Sequence, residues 1–211
     1  MHAPISDQIK FNLFDPKRHP MRKSIVISSF MILVFISPPL TMYACKQNPK
    51  ASKSLVDLAK LVNERLAYMK AVAAYKWENQ LAIEDLEREE IVIQSSMDQA
   101  GTFGLDSIST RMFFEQQIEA AKQIQRYWFK HWEKNGFEPD QSFGDLKTEI
   151  RPALLELGRQ ILSSISELKL WVAPKMSKRQ GRLDFMTLLT TEGLRNKGKQ
   201  RLFKAVMQIK G

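Results

Sequence analysis

From Leu55 onward, apolar residues return at three- and four-residue steps: Leu55, Leu58, Leu61, Val62, Leu66, Met69 and Ala73. This is the period of a helix with one buried face, and no convincing strand alternation occurs here or elsewhere. With Ser54 as N-cap, the first long helix is predicted to run to about Lys76 and then yield to a connector near residues 80–84. Asp85 caps a second helix, LEREEIVIQSSM. Its acidic first turns suit the positive end of the helix dipole, and Leu86, Ile91 and Ile93 are expected near the core. Gly101-Thr102-Phe103-Gly104 reads as a turn. Asp106 or Ser107 opens a long third helix with Ile108, Met112, Phe113, Ile118, Ala121, Ile124 and Trp128 at helical spacing, and Gly136 ends it.

A loop is expected over 137–143, then a fourth helix over roughly 144–172. Pro152 is awkward inside a helix that begins at Gly144, so a start nearer Ile150 is the alternative. Two shorter helices follow, near 177–189 and 192–208. The predicted fold is all-α, a single domain of about six helices in which the first and third are long.

The 211 residues suffice for one domain of ordinary size plus a targeting segment. Net charge is +9, unevenly spread. Residues 175–211 hold ten Lys/Arg against two Asp/Glu, whereas 46–174 hold seventeen against nineteen. A basic C-terminal end fits either a solvated helix face or an anionic partner.

Residues 21–45 read as an export signal. Met21-Arg22-Lys23 is a short positive start, SIVISSFMILVFIS is a mostly apolar run of fourteen residues, and Pro38-Pro39 ends it. The run is shorter than the ~20 residues that span a bilayer. Residues 1–20 fit no signal; they are read as an upstream, non-native extension, the alternative being an unusually long basic start. Residues 46–53 form a leader, and 54–211 the folded domain, with 54–136 as one half and 137–211 as the other. Cys45 is the only cysteine, so an internal disulfide is excluded. It is either an incidental thiol or a lipid-attachment site after the signal, and only the second would tie the chain to a membrane.

Metal chemistry finds no support, because His2, His19 and His131 lie far apart. There is no phosphate-cradling glycine loop and no visible nucleophile–base pair. What remains is a set of cations, acids and an amide on helices. Arg65 and Lys76 are 11 residues apart (76−65), on one face of a continuous helix and separated by ~16 Å of rise. Asp85, Arg88 and Glu89 share a face of the next helix. Spacing alone allows a pocket for a small anion, and equally a solvated Asp85–Arg88 ion pair worth only ~0.5 kcal/mol.

The pattern Arg65–x10–Lys76–x8–Asp85–x2–Arg88, with Gln125 on the third helix, resembles the all-helical chorismate mutases. VAAYKWENQLAIEDLERE and FFEQQIEAAKQIQ are similar to the exported subclass of that family. The resemblance covers about 55–132, with a weaker continuation over DLKTEIRPALLEL. It implies a rearrangement of chorismate to prephenate with no cofactor and no covalent intermediate. By resemblance, Lys76 and Gln125 are the donors at the ether oxygen, with Arg88 counted beside them as catalytic. Arg65, Arg88 and Arg151 bind the two carboxylates, and Asp85 and Glu89 meet the ring hydroxyl.

Arg159 competes with Arg151 for its place. Ala121 stands where many members carry a hydroxyl, and neighbouring Lys122, ~100° round the helix, is expected to be solvated. The resemblance also implies a C-terminal half that completes each pocket within one chain, and a homodimer. No nucleic-acid partner is expected for an exported chain. The competing reading is an exported helical lipoprotein that binds an anionic surface without catalysis. Phe113, Phe114, Tyr127, Trp128 and Trp132 are expected in the core or at a dimer contact.

Overall fold

The computed structural model describes residues 49–138, 144–171 and 178–211, which fall within one compact unit. The upstream extension, the export signal and Cys45 lie outside the described residues, as do 139–143 of the expected loop.

Helix α1 (Pro49–Ala67) buries Leu55, Leu58, Val62 and Leu66 almost completely. A fully buried Leu or Val stabilises by roughly 1.5–3 kcal/mol, which is why the apolar stripe decides the orientation of this helix. The helix begins five residues before the expected Ser54 cap (54−49), with Pro49 in the first position, where its missing N–H costs nothing. The expected long first helix is also divided. A turn at Tyr68 separates α1 from α2 (Met69–Glu78). No Pro or Gly marks that position, so periodicity carries no sign of the break.

Helix α2 closes with a left-handed turn at Gln80 (φ 53°). Gln80 N–H donates to the Trp77 carbonyl at 3.1 Å and Leu81 N–H to the Lys76 carbonyl at 2.8 Å. This is the paired-bond termination that usually employs glycine.

Asp85 caps α3 (Leu86–Ala100), accepting from Arg88 N–H at 3.1 Å. Of the three residues expected in its core face, only Ile93 is buried; Leu86 and Ile91 are 75% and 48% exposed. The face that packs is Ile93, Ser96 and Ala100, and another side of the helix borders a cavity. A short 3-10 turn (Gly101–Phe103) ends at Gly104 (φ 65°).

Asp106 caps α4 (Ser107–Asn135), accepting from Ser109 N–H at 2.8 Å, and Gly136 (φ 88°) stops it. Phe113, Phe114, Ile118, Ala121 and Ile124 are buried as expected, whereas Ile108 and Met112 are exposed. Phe113, Phe114 and Trp132 are core residues, Trp128 is partly buried, and Tyr127 reaches the surface.

Leu146–Ile150 forms a single wide π turn capped by Asp145, followed by α5 (Arg151–Trp171). Both Glu149 and Ile150 donate to the Asp145 carbonyl at 3.0 Å. The wide turn lets the chain enter a helix whose second residue, Pro152, has no N–H to offer. Helices α6 (Lys178–Leu188) and α7 (Asn196–Gln208) complete the order, α7 starting later than expected. Helix α1 packs on α5 and α6, and α4 on α2, α3 and α7. The all-α expectation holds: no strand occurs among the described residues. Nor is any described helix long and apolar enough to cross a membrane.

Candidate active site

A cavity of about 130 Å³ opens where α1, α2, α3, α4 and α5 converge. Its polar lining includes Arg65, Lys76, Asp85, Arg88, Glu89, Gln125 and Arg151, so these seven candidates read from the sequence reach one space. Val72, Val92, Phe114, Leu154 and Leu162 supply apolar wall. Arg151 comes from the first turn of α5, so residues beyond the 137–143 loop help to enclose the space.

Arg65 is buried, 6% exposed, near the end of α1. Its Nη1 donates to Oε1 of Gln117 at 3.4 Å, and its guanidinium lies 6.0 Å from the centre of the Phe114 ring. Burial, together with the nearby charge of Arg88, pushes its pKa down to about 10. Nε of Arg65 has no hydrogen-bond partner.

Lys76 is held by its own helix terminus. The left-handed turn at Gln80 folds the connector back, and Nζ of Lys76 donates to the Ile83 carbonyl at 2.5 Å. Burial lowers its pKa, Asp85 and Glu89 oppose that, and Arg151 and Lys122 add to it. Arg88 is likewise lowered, first by burial, then by Arg151, with Asp85 opposing. Among the described residues, none of Arg65, Lys76, Arg88 and Arg151 forms an ion pair with a carboxylate. The solvated Asp85–Arg88 pair allowed by spacing is not formed; Asp85 spends its carboxylate on the helix cap. Four partly desolvated cations around one cavity repel one another, and an anion placed among them would relieve that repulsion.

Gln125 is 5% exposed. Its amide nitrogen lies 3.8 Å from the Met69 sulfur, a weak contact, and its Oε1 has no partner. A buried amide left this poorly satisfied costs about 1–3 kcal/mol, so its hydrogen-bonding capacity is available to a ligand.

Two sequence expectations need correction here. Lys122 is not solvated: its side chain is 11% exposed and bridges Glu89 at 3.1 Å and Glu119 at 2.7 Å. Burial pulls its pKa down, but the hydrogen bonds and charges of Glu119 and Glu89 outweigh that and raise it. The 100° offset misled because a lysine stem is long enough to swing back to the cavity edge. Arg159 does not compete for the site. It forks onto Glu156 at 2.7 and 2.9 Å on the exposed face of α5, away from the residues lining the cavity.

Sequence reasoning missed Gln117, which is fully buried with its amide nitrogen unpartnered. A signal was present: Gln117, Ala121 and Gln125 stand at i, i+4 and i+8, one stripe of α4. No cluster of metal-ligating side chains occurs among the described residues.

The sequence and the fold have known counterparts. A family model of chorismate mutase type II matches residues 56–126. A secreted chorismate mutase of Yersinia pestis is 33% identical over 192 residues, 89% of this chain and 91% of that protein. A monofunctional chorismate mutase of Enterobacter agglomerans is 33% identical over 161 residues, 75% of this chain and 85% of that protein. The crystal structure of the Yersinia pestis secreted enzyme superposes with a TM-score of 0.67 at 35% identity, covering 73% of this chain and 97% of that one. The chorismate mutase of Burkholderia thailandensis gives 0.59 at 29% identity, over 74% and 98%. With a type II model matching residues 56–126 and relatives alike in sequence and fold along most of its length, this chain belongs to the chorismate mutase family.

Proposed function

We propose that this enzyme converts chorismate to prephenate in the cavity between α1 and α5. Chorismate is a dianion whose enolpyruvyl arm must lie over its ring before reaction. Arg65, Arg88 and Arg151 pair with its two carboxylates and select that folded conformer, which converts a rare encounter of the reacting carbons into a held one. The ether C–O bond breaks while a new C–C bond forms, and the electrons move in a ring without proton transfer. Negative charge builds on the ether oxygen as the bond lengthens. Lys76 and the amide of Gln125 donate to that oxygen and stabilise the transition state more than the substrate. Asp85 and Glu89 meet the ring hydroxyl through side chain or backbone.

The observation that carries this reading is the set of cations without carboxylate partners around a cavity that also holds an unsatisfied Gln125. A preorganised donor set of this kind needs no cofactor. The direct test is the ultraviolet absorbance of chorismate mixed with purified protein lacking residues 1–44. A steady loss with prephenate as product is expected; unchanged absorbance at high enzyme concentration sinks the proposal.

We also infer that the protein is exported. Residues 21–45 have the pattern of a signal, and relatives from Yersinia pestis and Mycobacterium tuberculosis are named secreted chorismate mutases. A homodimer is proposed as well, with support from Ile108 and Met112, exposed one turn apart on α4. Mass spectrometry of the mature N-terminus, together with sedimentation, tests both and reveals whether Cys45 carries lipid.

A further inference from the structure

About 200° around α4 from Gln125 lies Gln123, and with it a second concavity. It is a groove of about 540 Å³ between the C-terminal half of α4 and the start of α7. Arg126, Lys130 and Lys134 line one wall at four-residue steps, about 6 Å apart along the helix. Arg195, Lys197 and Arg201 line the other. Among the described residues, Glu119 is the only carboxylate in the lining, and it is committed to Lys122 at 2.7 Å. Arg126 meets Glu84 at 3.3 Å, and among the described residues the other five cations have no ion pair.

The start of α7 strengthens this polarity. Arg195, its N-cap, offers no side-chain acceptor, and the first turn has no acidic residue. The helix-start N–H groups and the cations therefore favour the same sign of ligand. The walls are also held close. A Cβ on Gly198 would stand 2.7 Å from Oε1 of Gln123, so α7 runs close to α4 here with the amide end of Gln123 filling the gap. Two rows of like charge held together repel, and an anion laid between them removes the repulsion.

We propose that this groove binds an anionic polysaccharide, with its charged groups paired along the two cationic rows. A linear chain suits the repeat on α4 better than a single small anion does. A nucleic acid fits less well, because single-strand binding relies on open aromatic faces. The groove's tyrosine, Tyr127, is already engaged: its hydroxyl bonds to Glu192 at 2.5 Å, and its ring packs on Trp128 and stacks with His131. A bilayer fits less well still, because the lining is concave and, among the described residues, its only aliphatic side chain is Ala120. This inference stands independently of catalysis in the other cavity.

The test is calorimetric titration of the folded protein with two probes at low ionic strength: a carboxylated oligogalacturonate and a sulfated heparin oligosaccharide. Binding of either supports the proposal and identifies the anion. The double variant Lys130→Glu/Arg201→Glu is expected to weaken it by about tenfold or more, while Lys53→Glu/Lys60→Glu on α1 stays within about twofold. Circular dichroism and chorismate turnover should be unchanged in both variants. The proposal is overturned if neither saccharide binds, if the α1 variant loses as much affinity, or if a single-stranded oligonucleotide of equal charge binds more tightly than both.

Discussion

Arg65 and Gln117 meet across 52 residues of sequence, guanidinium Nη1 donating to amide Oε1 at 3.4 Å inside the protein. The partner of this buried cation is neutral. A carboxylate there would satisfy Arg65 and cancel the charge that a substrate dianion needs. Gln117→Glu should therefore leave the fold intact and raise the chorismate KM by roughly tenfold, about 1.4 kcal/mol of lost ground-state binding. Steady-state kinetics beside a thermal melt checks this. An unchanged KM would mean that Arg65 does not contact substrate.

Lys76→Ala removes a preorganised donor to a developing oxyanion. Such losses cost about 3–4 kcal/mol, so kcat should drop by roughly two orders of magnitude or more. A variant within about fivefold of the parent would take Lys76 out of the proposed role.

The acid side of the pH profile should be flat, because Gln125 has no proton to gain or lose near neutrality. Gln125→Glu should make activity acid-dependent, since a carboxyl donates only when protonated. On the alkaline side the sign follows from Lys76. Burial holds its pKa below the ordinary lysine value, so it loses its charge at lower pH than a free lysine. The decline in kcat should begin correspondingly early. A parent enzyme that loses activity steeply between about pH 6 and 8, as a Glu at position 125 would make it, would contradict the first statement; an alkaline limit no earlier than that of a free lysine would contradict the second.

Gln80 occupies a left-handed backbone (φ 53°) that costs an L-residue roughly 1–2 kcal/mol. Gln80→Gly relieves that strain and gives back part of the gain as unfolded-chain entropy. A net stabilisation of about 0.5–1 kcal/mol is expected in denaturant melts, with kcat unchanged. A drop in kcat would show that the side chain, and not only the turn, positions Lys76.

Helix periodicity was enough to place α3, α4 and α5 within a few residues, because their starts and stops rest on local chemistry: Asp85, Asp106, Gly136 and Asp145 act within one turn. The Tyr68 break was not legible, since neither neighbour is a helix breaker. The faces of α3 failed for a related reason. One side of that helix borders the cavity, so apolar spacing no longer singles out a core stripe, and Leu86 and Ile91 stay exposed. The cations of the cavity were legible as a pattern only by family resemblance. Lys122 was not, because a lysine beside an acid looks like ordinary surface; Gln117 carried only the faint signal of sharing a stripe of α4 with Gln125.

At the far end of the chain, Ile209 is 1% exposed, the Lys210 carbonyl accepts from Asp106 N–H at 3.0 Å, and Lys210 N–H donates to Ser109 Oγ at 3.0 Å. The first turn of α4 is thus finished by residues made about a hundred positions later. A variant cut before Ile209 should therefore leave the Asp106 N–H and the Ser109 hydroxyl without these two bonds and open the core beside them, so the start of α4 should fray first.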